Sequence, residues 1–225
     1  TVNSLITDKY ITKKGLAPST GGRRPLMFLI NPAKQKYIVA VAMDQLITRL
    51  VIFNLANEIV LPLKFLDLNI SEDEQAVDKL ITFINSSIQK SGLDRKSLMG
   101  IGIGMPGLVN AEKGINNSHL PTPNGSNLGT YLKQELSLPV YIDNDSSLIT
   151  LAELHFGKAE GMQDALVVNV GWGTGLGIIL KGSLYRGSTG YAGEFSHIPL
   201  SKTDNLCSCG KKGCLEVDTS LWVMV

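Results

Sequence analysis

His197, Cys207, Cys209 and Cys214 stand in the pattern H-x9-C-x-C-x4-C, and these three cysteines are all that the chain has. One imidazole and three thiolates suit a four-coordinate tetrahedral ion, the closed ligand set of structural zinc, which clamps a fold and needs no open position for catalysis. Gly210 and Gly213 let the backbone turn tightly enough for the thiolates to converge. The alternative is three unrelated buried thiols beside a core histidine, and it leaves the gathering of every cysteine into the window 207–214 unexplained. Two carboxylates flank the cluster, Glu194 before His197 and Glu216 after Cys214. Carboxylates beside a stiffened loop are good acceptors for the hydroxyls of a sugar ring.

Two further motifs are weaker alone. Asp143-Asn144-Asp145 follows the apolar run from Val140, and Asp and Asn also favour ordinary turns. Gly171-Trp172-Gly173-Thr174-Gly175-Leu176-Gly177 could cradle phosphate or merely shape a tight strand connection. Together with E-x-x-H at 194–197 and C-x-C-G-x-x-G-C-L-E at 207–216, the set resembles the ROK family of sugar kinases, sugar-responsive repressors and uncharacterised reading frames. The resemblance implies a structural Zn2+ on His197, Cys207, Cys209 and Cys214. It implies sugar ligands at Asn144, Asp145, Glu194, His197 and Glu216, with the backbone of Gly107, after Pro106, also facing the sugar. His197 would bind zinc through one ring nitrogen and offer the other to the ligand. In the kinases of this family the last Asp of the D-N-D motif is the general base, so Asp145 is catalytic if the chain is a kinase.

The phosphate loops separate the branches. The family's kinases carry D-x-G-G-T in the first hairpin, where small residues let backbone N–H groups reach the nucleotide phosphates. Here Ala42-Met43-Asp44-Gln45-Leu46 takes that place, and a register that puts Asp44 on the acid leaves Leu46 and Ile47 where glycines are needed. The first loop is spoiled, while the second is present. A Leu-Pro-x-Trp segment of many sugar-binding members is replaced by His119-Leu120-Pro121-Thr122-Pro123-Asn124, so the identity of the sugar stays open, with Asn124 and Asn127 able to reach a ligand. Three classes of function follow: a sugar-responsive transcriptional regulator, an ATP-dependent sugar kinase with an unusual nucleotide loop, and a binding module without a switch. The spoiled loop and the start of the chain favour the regulator.

The elements that must position these residues read as follows. Val2 to Asp8 forms an amphipathic helix with Leu5 and Ile6 inward, and Tyr10 to Lys14 a short strand. A Gly/Pro-rich stretch containing Arg23 and Arg24 comes next. Residues 1–30 thereby resemble the end of a winged-helix DNA-binding domain and its linker, whose arginines could reach phosphates or a narrow minor groove of operator DNA. A flexible interdomain link with two solvated charges is the plainer alternative. From Tyr37, three strands (38–42, 49–54, 58–61), a helix from Glu72 to Ser91 capped by Ser71, a strand over 100–106, a helix over 128–136 and a strand from Val140 make a first lobe of residues 31–145. A helix over 147–156 and strands over 164–170, 175–180 and 183–186 begin an incomplete second lobe, 146–225, that holds the zinc motif. The fold class is α/β, the duplicated-lobe sugar kinase fold of actin-like, ribonuclease H-like type, preceded by the remnant of a winged helix-turn-helix.

Composition bounds the rest. The chain has 225 residues, 44% hydrophobic, with net charge +1, enough for a sizeable core and without a global pull toward nucleic acid or membrane. No apolar run approaches the roughly 18 residues of a membrane span. An odd number of cysteines argues against a disulfide scaffold and for a reducing, cytoplasmic setting. Beginning at Thr1 and stopping in the apolar run 221–225, the sequence reads as a middle piece of a longer chain. The resemblance implies a homodimer or homotetramer.

Overall fold

The elements that come first bury none of their side chains. Helix α1 (Val2–Thr7) is capped by the Thr1 hydroxyl, which accepts from the Ser4 amide at 3.3 Å. An antiparallel hairpin of β1 (Ile11–Leu16) and β2 (Leu26–Ile30) follows, bulged between Lys13 and Gly15, where Gly15 adopts φ 107°. No residue of α1 is buried: Leu5 is exposed and Ile6 half-buried, so the expected inward face is absent. Strand β2 has no signal in the sequence beyond a short apolar patch beside Pro25; its partner β1 supplies the pairing. The computed structural model describes residues 1–18, 24–31, 34–123 and 125–221, so Arg23, Asn124 and residues 222–225 lie outside the described residues.

The larger sheet owes its form to β-branched runs of period two. Strands β3 (Tyr37–Met43), β4 (Ile47–Asn54) and β5 (Ile59–Asp67) form an antiparallel meander. The last strand runs well past its expected end at Leu61, through Pro62. A proline is tolerated because β5 is an edge strand, and the register slips there between Leu50 and Ile52 of β4. Strand β6 (Leu98–Met105) joins β3 in parallel and β9 (Val140–Asn144) joins β6 in parallel, giving the order β5-β4-β3-β6-β9. Between them in sequence come a two-residue pair, β7 (Val109–Asn110) and β8 (Ile115–Asn116), and helices α2 (Ala76–Ser91) and α3 (Leu128–Leu136). Val39, Val41, Leu50, Ile52, Ile101 and Ile103 from the sheet pack in one core with Leu80, Ile84 and Ile88 of α2 and Leu132 and Leu136 of α3.

Helix α2 starts four residues after its expected beginning at Glu72. Ser71 is not its cap; Asn69 and Asp73 instead accept bonds from the Ser71, Glu72 and Gln75 amides and hold the approach in side-chain-closed turns. Asn127 is the N-cap of α3, accepting from the Thr130 amide at 2.8 Å while its Nδ2 donates to the Lys113 carbonyl at 2.6 Å, so it serves the helix and not the ligand reach expected of it.

A smaller antiparallel sheet, β10 (Ala165–Val170), β11 (Thr174–Leu180) and β12 (Ser183–Leu184), packs on helix α4 (Asp145–Phe156). Leu154, Ala159 and Ile179 form its small core. The chain then passes through a 3-10 turn (Phe195–His197) and the cysteine segment to a short helix, α5 (Glu216–Thr219). Among the described residues no helix is long and apolar enough to cross a membrane.

Candidate functional site

Strand β9 ends where α4 begins, and this junction places the D-N-D motif in a cleft of about 910 Å3 between the two sheets. Asn144 is the N-cap of α4: Oδ1 accepts from the Ser147 amide at 3.1 Å, and Nδ2 donates to the Gly107 carbonyl at 3.1 Å. One amide hydrogen of Asn144 is left for a ligand. Gly107 is obligatory, since at φ 101° a Cβ would lie 2.8 Å from Ser118 Cβ and 2.9 Å from His119 Cδ2. Asp145 occupies the first turn of α4, where Oδ1 accepts from the Ser146 amide at 2.7 Å and from its hydroxyl at 3.2 Å. Burial pushes the Asp145 carboxyl above its usual value despite those bonds.

Opposite lies the cysteine cluster. The ligand atoms of His197, Cys207, Cys209 and Cys214 all lie within 4.8 Å of one another. Cys207 and Cys214 are buried, and Cys209 and Cys214 hold their sulfurs 3.6 Å apart. That is too far for a disulfide and close to the roughly 3.7 Å expected of two thiolates on one tetrahedral zinc. His197 divides its ring as the donor set requires, with Nδ1 3.4 Å from Cys207 Sγ and Nε2 turned to the Glu194 carboxylate at 3.9 Å. The chemistry and spacing of the four donors fit a structural zinc.

Glu194 and Glu216 close the ring. Glu216 Oε2 is 3.5 Å from His197 Nδ1, and Oε1 sits over Gly173, where a Cβ would approach it to 2.7 Å. Burial, then the charges of Glu216 and Asp145, push Glu194 up to about 7. Hydrogen-bond acceptors thus converge from both walls, with Trp172 and Tyr191 also lining the cleft. That is equipment for a polyhydroxylated ring.

The segment 186–193 straps the smaller-sheet side to the larger-sheet side. Arg186 forms a bidentate pair with Asp143 of β9 (Nη1 to Oδ1 2.8 Å, Nη2 to Oδ2 2.5 Å). Further along, the Thr189 carbonyl accepts from Asn110 Nδ2 at 3.0 Å and the Tyr191 hydroxyl from Asn117 Nδ2 at 2.9 Å. Glu194 therefore follows directly on a loop tied to the wall that carries Asn144 and Asp145.

The two suspected phosphate loops have other occupations. In the β3–β4 turn, Asp44 Oδ1 accepts from the Leu46 amide at 2.9 Å and the Ile47 amide at 2.7 Å, and Oδ2 accepts from Arg49 Nη1 at 2.8 Å. In the second loop, a Cβ on Gly175 or Gly177 would overlap Ser146 or Thr150 of α4, so these glycines permit close packing of β11 on that helix.

The expected ligand residues Gly107, Asn144, Asp145, Glu194, His197 and Glu216 all line this one cleft, and the metal residues His197 and Cys209 border it. Arg24 lies before β2, far along the chain from it, and Arg23 is outside the described residues. Sequence reasoning misses the Asp44–Arg49 and Asp143–Arg186 pairs. The first has a signal in an Asp five residues before an Arg across a turn; the second, with 43 residues between partners, has none.

The model of the ROK family matches residues 40–220. The xylose repressor of Caldicellulosiruptor bescii is 34% identical over 220 residues, spanning 95% of this chain and 54% of that protein. Among solved structures, a ROK family transcriptional regulator described as a homolog of the E. coli MLC protein aligns with TM-score 0.72 at 25% identity, over 99% of this chain and 56% of that one. A ROK family glucokinase from Streptomyces griseus, solved with glucose and AMPPNP, aligns with TM-score 0.69 at 26% identity, over 84% of this chain and 58% of that one. The chain spans a little over half the length of the repressor it matches. These likenesses carry the actin-like sugar kinase fold.

Proposed function

The chain belongs to the ROK family, and we propose that it is a sugar-responsive transcriptional regulator of that family, most simply a repressor, which holds a sugar effector in the cleft and signals its presence to operator DNA. The observation that carries this is the unit ahead of residue 37. Helix α1 is followed by β1 and β2, which form a two-stranded sheet of their own, in the order of a last helix and wing. The repressor match covers 95% of the chain and so must run through most of residues 1–39, which the family model leaves out. Residues 1–30 are the end of a winged-helix domain and linker, 31–145 the first lobe and 146–225 the second. Arg23 and Arg24 stand in sequence between the paired strands β1 and β2, so they reach DNA from the hairpin and not, as expected, from a linker that follows it.

Sugar hydroxyls bond to Asp145 and the remaining amide hydrogen of Asn144 on one wall, and to Glu194, Glu216 and His197 Nε2 on the other, with Gly107 holding Asn144 in place. A structural Zn2+ on His197 Nδ1, Cys207, Cys209 and Cys214 would fix the second wall. Because the ligand groups come from both walls, the sugar favours the closed cleft, and closure biases the geometry of paired DNA-binding domains in a dimer or tetramer. Unpaired thiols suit the cytoplasm. A sugar kinase is the second reading, favoured by the raised pKa of Asp145, the property a general base needs. Against it, the amides of the first loop are already bonded to Asp44.

Isothermal titration of the full chain against a panel of pentoses and hexoses led by xylose and glucose, with and without ATP-Mg, separates the two. The regulator binds a free sugar without nucleotide and forms no ADP; sugar-dependent ADP release would make it a kinase.

A further inference from the structure

We infer that the cleft accepts an uncharged saccharide and rejects its phosphate esters, and that Asp44 sets this preference; the inference rests on the sugar-sensing reading above and names the class of its ligand. Two convergent backbone amides beside a guanidinium are the equipment with which turns bind phosphate. The β3–β4 turn has all three, in the Leu46 and Ile47 amides and Arg49, and it borders the cleft through Asp44, Gln45 and Arg49. Asp44 fills that cradle. Its Oδ1 takes both amides and its Oδ2 takes Arg49, so the anion that fits the turn is already present and covalently tethered. A tethered carboxylate competes at an effective concentration that a dissolved phosphate does not reach.

The charge of Asp44 is secure. Burial works against its ionisation, but the two amides and Arg49 outweigh burial and hold the carboxyl below the usual range. Arg49 is the one lysine or arginine lining the cleft among the described residues, and it is committed to this pair. The other titratable side chains of Asp, Glu and His that line it are Asp145, Glu194, Glu216, His119 and His197. A sugar hydroxyl finds acceptors there, whereas a phosphate dianion meets a ring of carboxyl groups and no unoccupied lysine or arginine among the described residues.

The test is a titration of the full chain with the free sugar that binds most tightly and with the phosphate monoesters of that sugar. The wild type is expected to bind the esters at least about tenfold more weakly. In Asp44→Asn the amide oxygen still accepts from Leu46 and Ile47 while Arg49 is released, and the gap is expected to narrow several-fold; inorganic phosphate should then compete with the ester. Esters that bind the wild type as well as the free sugar would overturn the inference and leave sugar sensing intact. Failure of every free sugar and ester to bind would overturn the sensing reading and the inference with it. A wide gap that Asp44→Asn leaves unchanged would remove Asp44 as its cause. The wild-type comparison stands whether or not the variant folds.

Discussion

A single sulfur tests the proposed zinc clamp on the wall of the cleft that carries Glu194, His197 and Glu216. Cys209 is the exposed member of the four-donor cluster, so its removal leaves little cavity and tests the metal instead of the packing. Cys209→Ser should release zinc by elemental analysis and lower Tm by roughly 5 °C or more, the order expected when about 2 kcal/mol is lost from a domain of this size; a metal-free wild type with an unchanged melt in the variant would end the assignment. Asp145 carries the second prediction. Its carboxyl is raised above the ordinary 3.8, so the folded protein keeps this proton to higher pH than the unfolded chain does. Stability of the ligand-free protein should therefore fall as pH rises from 3.8 through the raised value, and Asp145→Asn should flatten that fall in urea midpoints measured across it. The same variant should bind sugar at least about tenfold more weakly. That the candidate ligand residues line one cleft and that the four donors cluster was legible because the chain keeps them in short motifs. Asn144 was legible in identity and only partly in role, since its oxygen caps α4 and its amide braces Gly107, partners that no local spacing reveals.

At the scale of elements, the site depends on how a strand end, a helix start and a loop are brought into register. Arg186 is the joint between them. Asp143 is only 13% exposed, and removing its guanidinium partner would leave a mostly buried carboxylate unpaired. Arg186→Leu should weaken sugar binding about tenfold by calorimetry, with far-UV circular dichroism unchanged; Arg186→Lys, which keeps the charge but not the two parallel bonds, should recover only part of the affinity. Wild-type affinity in Arg186→Leu would show that the strap does not position the site. Strands β3, β4, β6 and β9 and helices α3 and α4 were readable within a few residues from apolar periodicity and caps. Elements that escaped did so for physical reasons. Strand β2 exists by virtue of its partner, the extension of β5 beyond Pro62 depends on its place at the sheet edge, and α2 begins at Ala76 without a side-chain cap, after turns closed by Asn69 and Asp73.

For the molecule as a whole, the proposed output lies at operator DNA, far in sequence from the cleft. Replacing Arg23 and Arg24 together in the full-length protein should weaken operator binding by gel shift and reduce the salt slope by about one for each phosphate that is no longer neutralised; an unchanged slope would leave these arginines as solvated charges between β1 and β2. None of residues 186–193 is buried, and the small core of the second sheet holds, among the described residues, Leu154, Ala159 and Ile179 with the half-buried Ala165 and Val167. Segments held mainly by hydrogen bonds and one ion pair open locally at low cost, without unfolding the rest. In hydrogen exchange the amides of the strap should be among the early ones to label in the free protein and should gain protection when sugar arrives. Residence of the proposed effector then becomes a matter of how often this one segment lifts, and a chain with a fully formed large sheet but an unseated strap would look folded by far-UV circular dichroism and still fail to hold the sugar proposed for it.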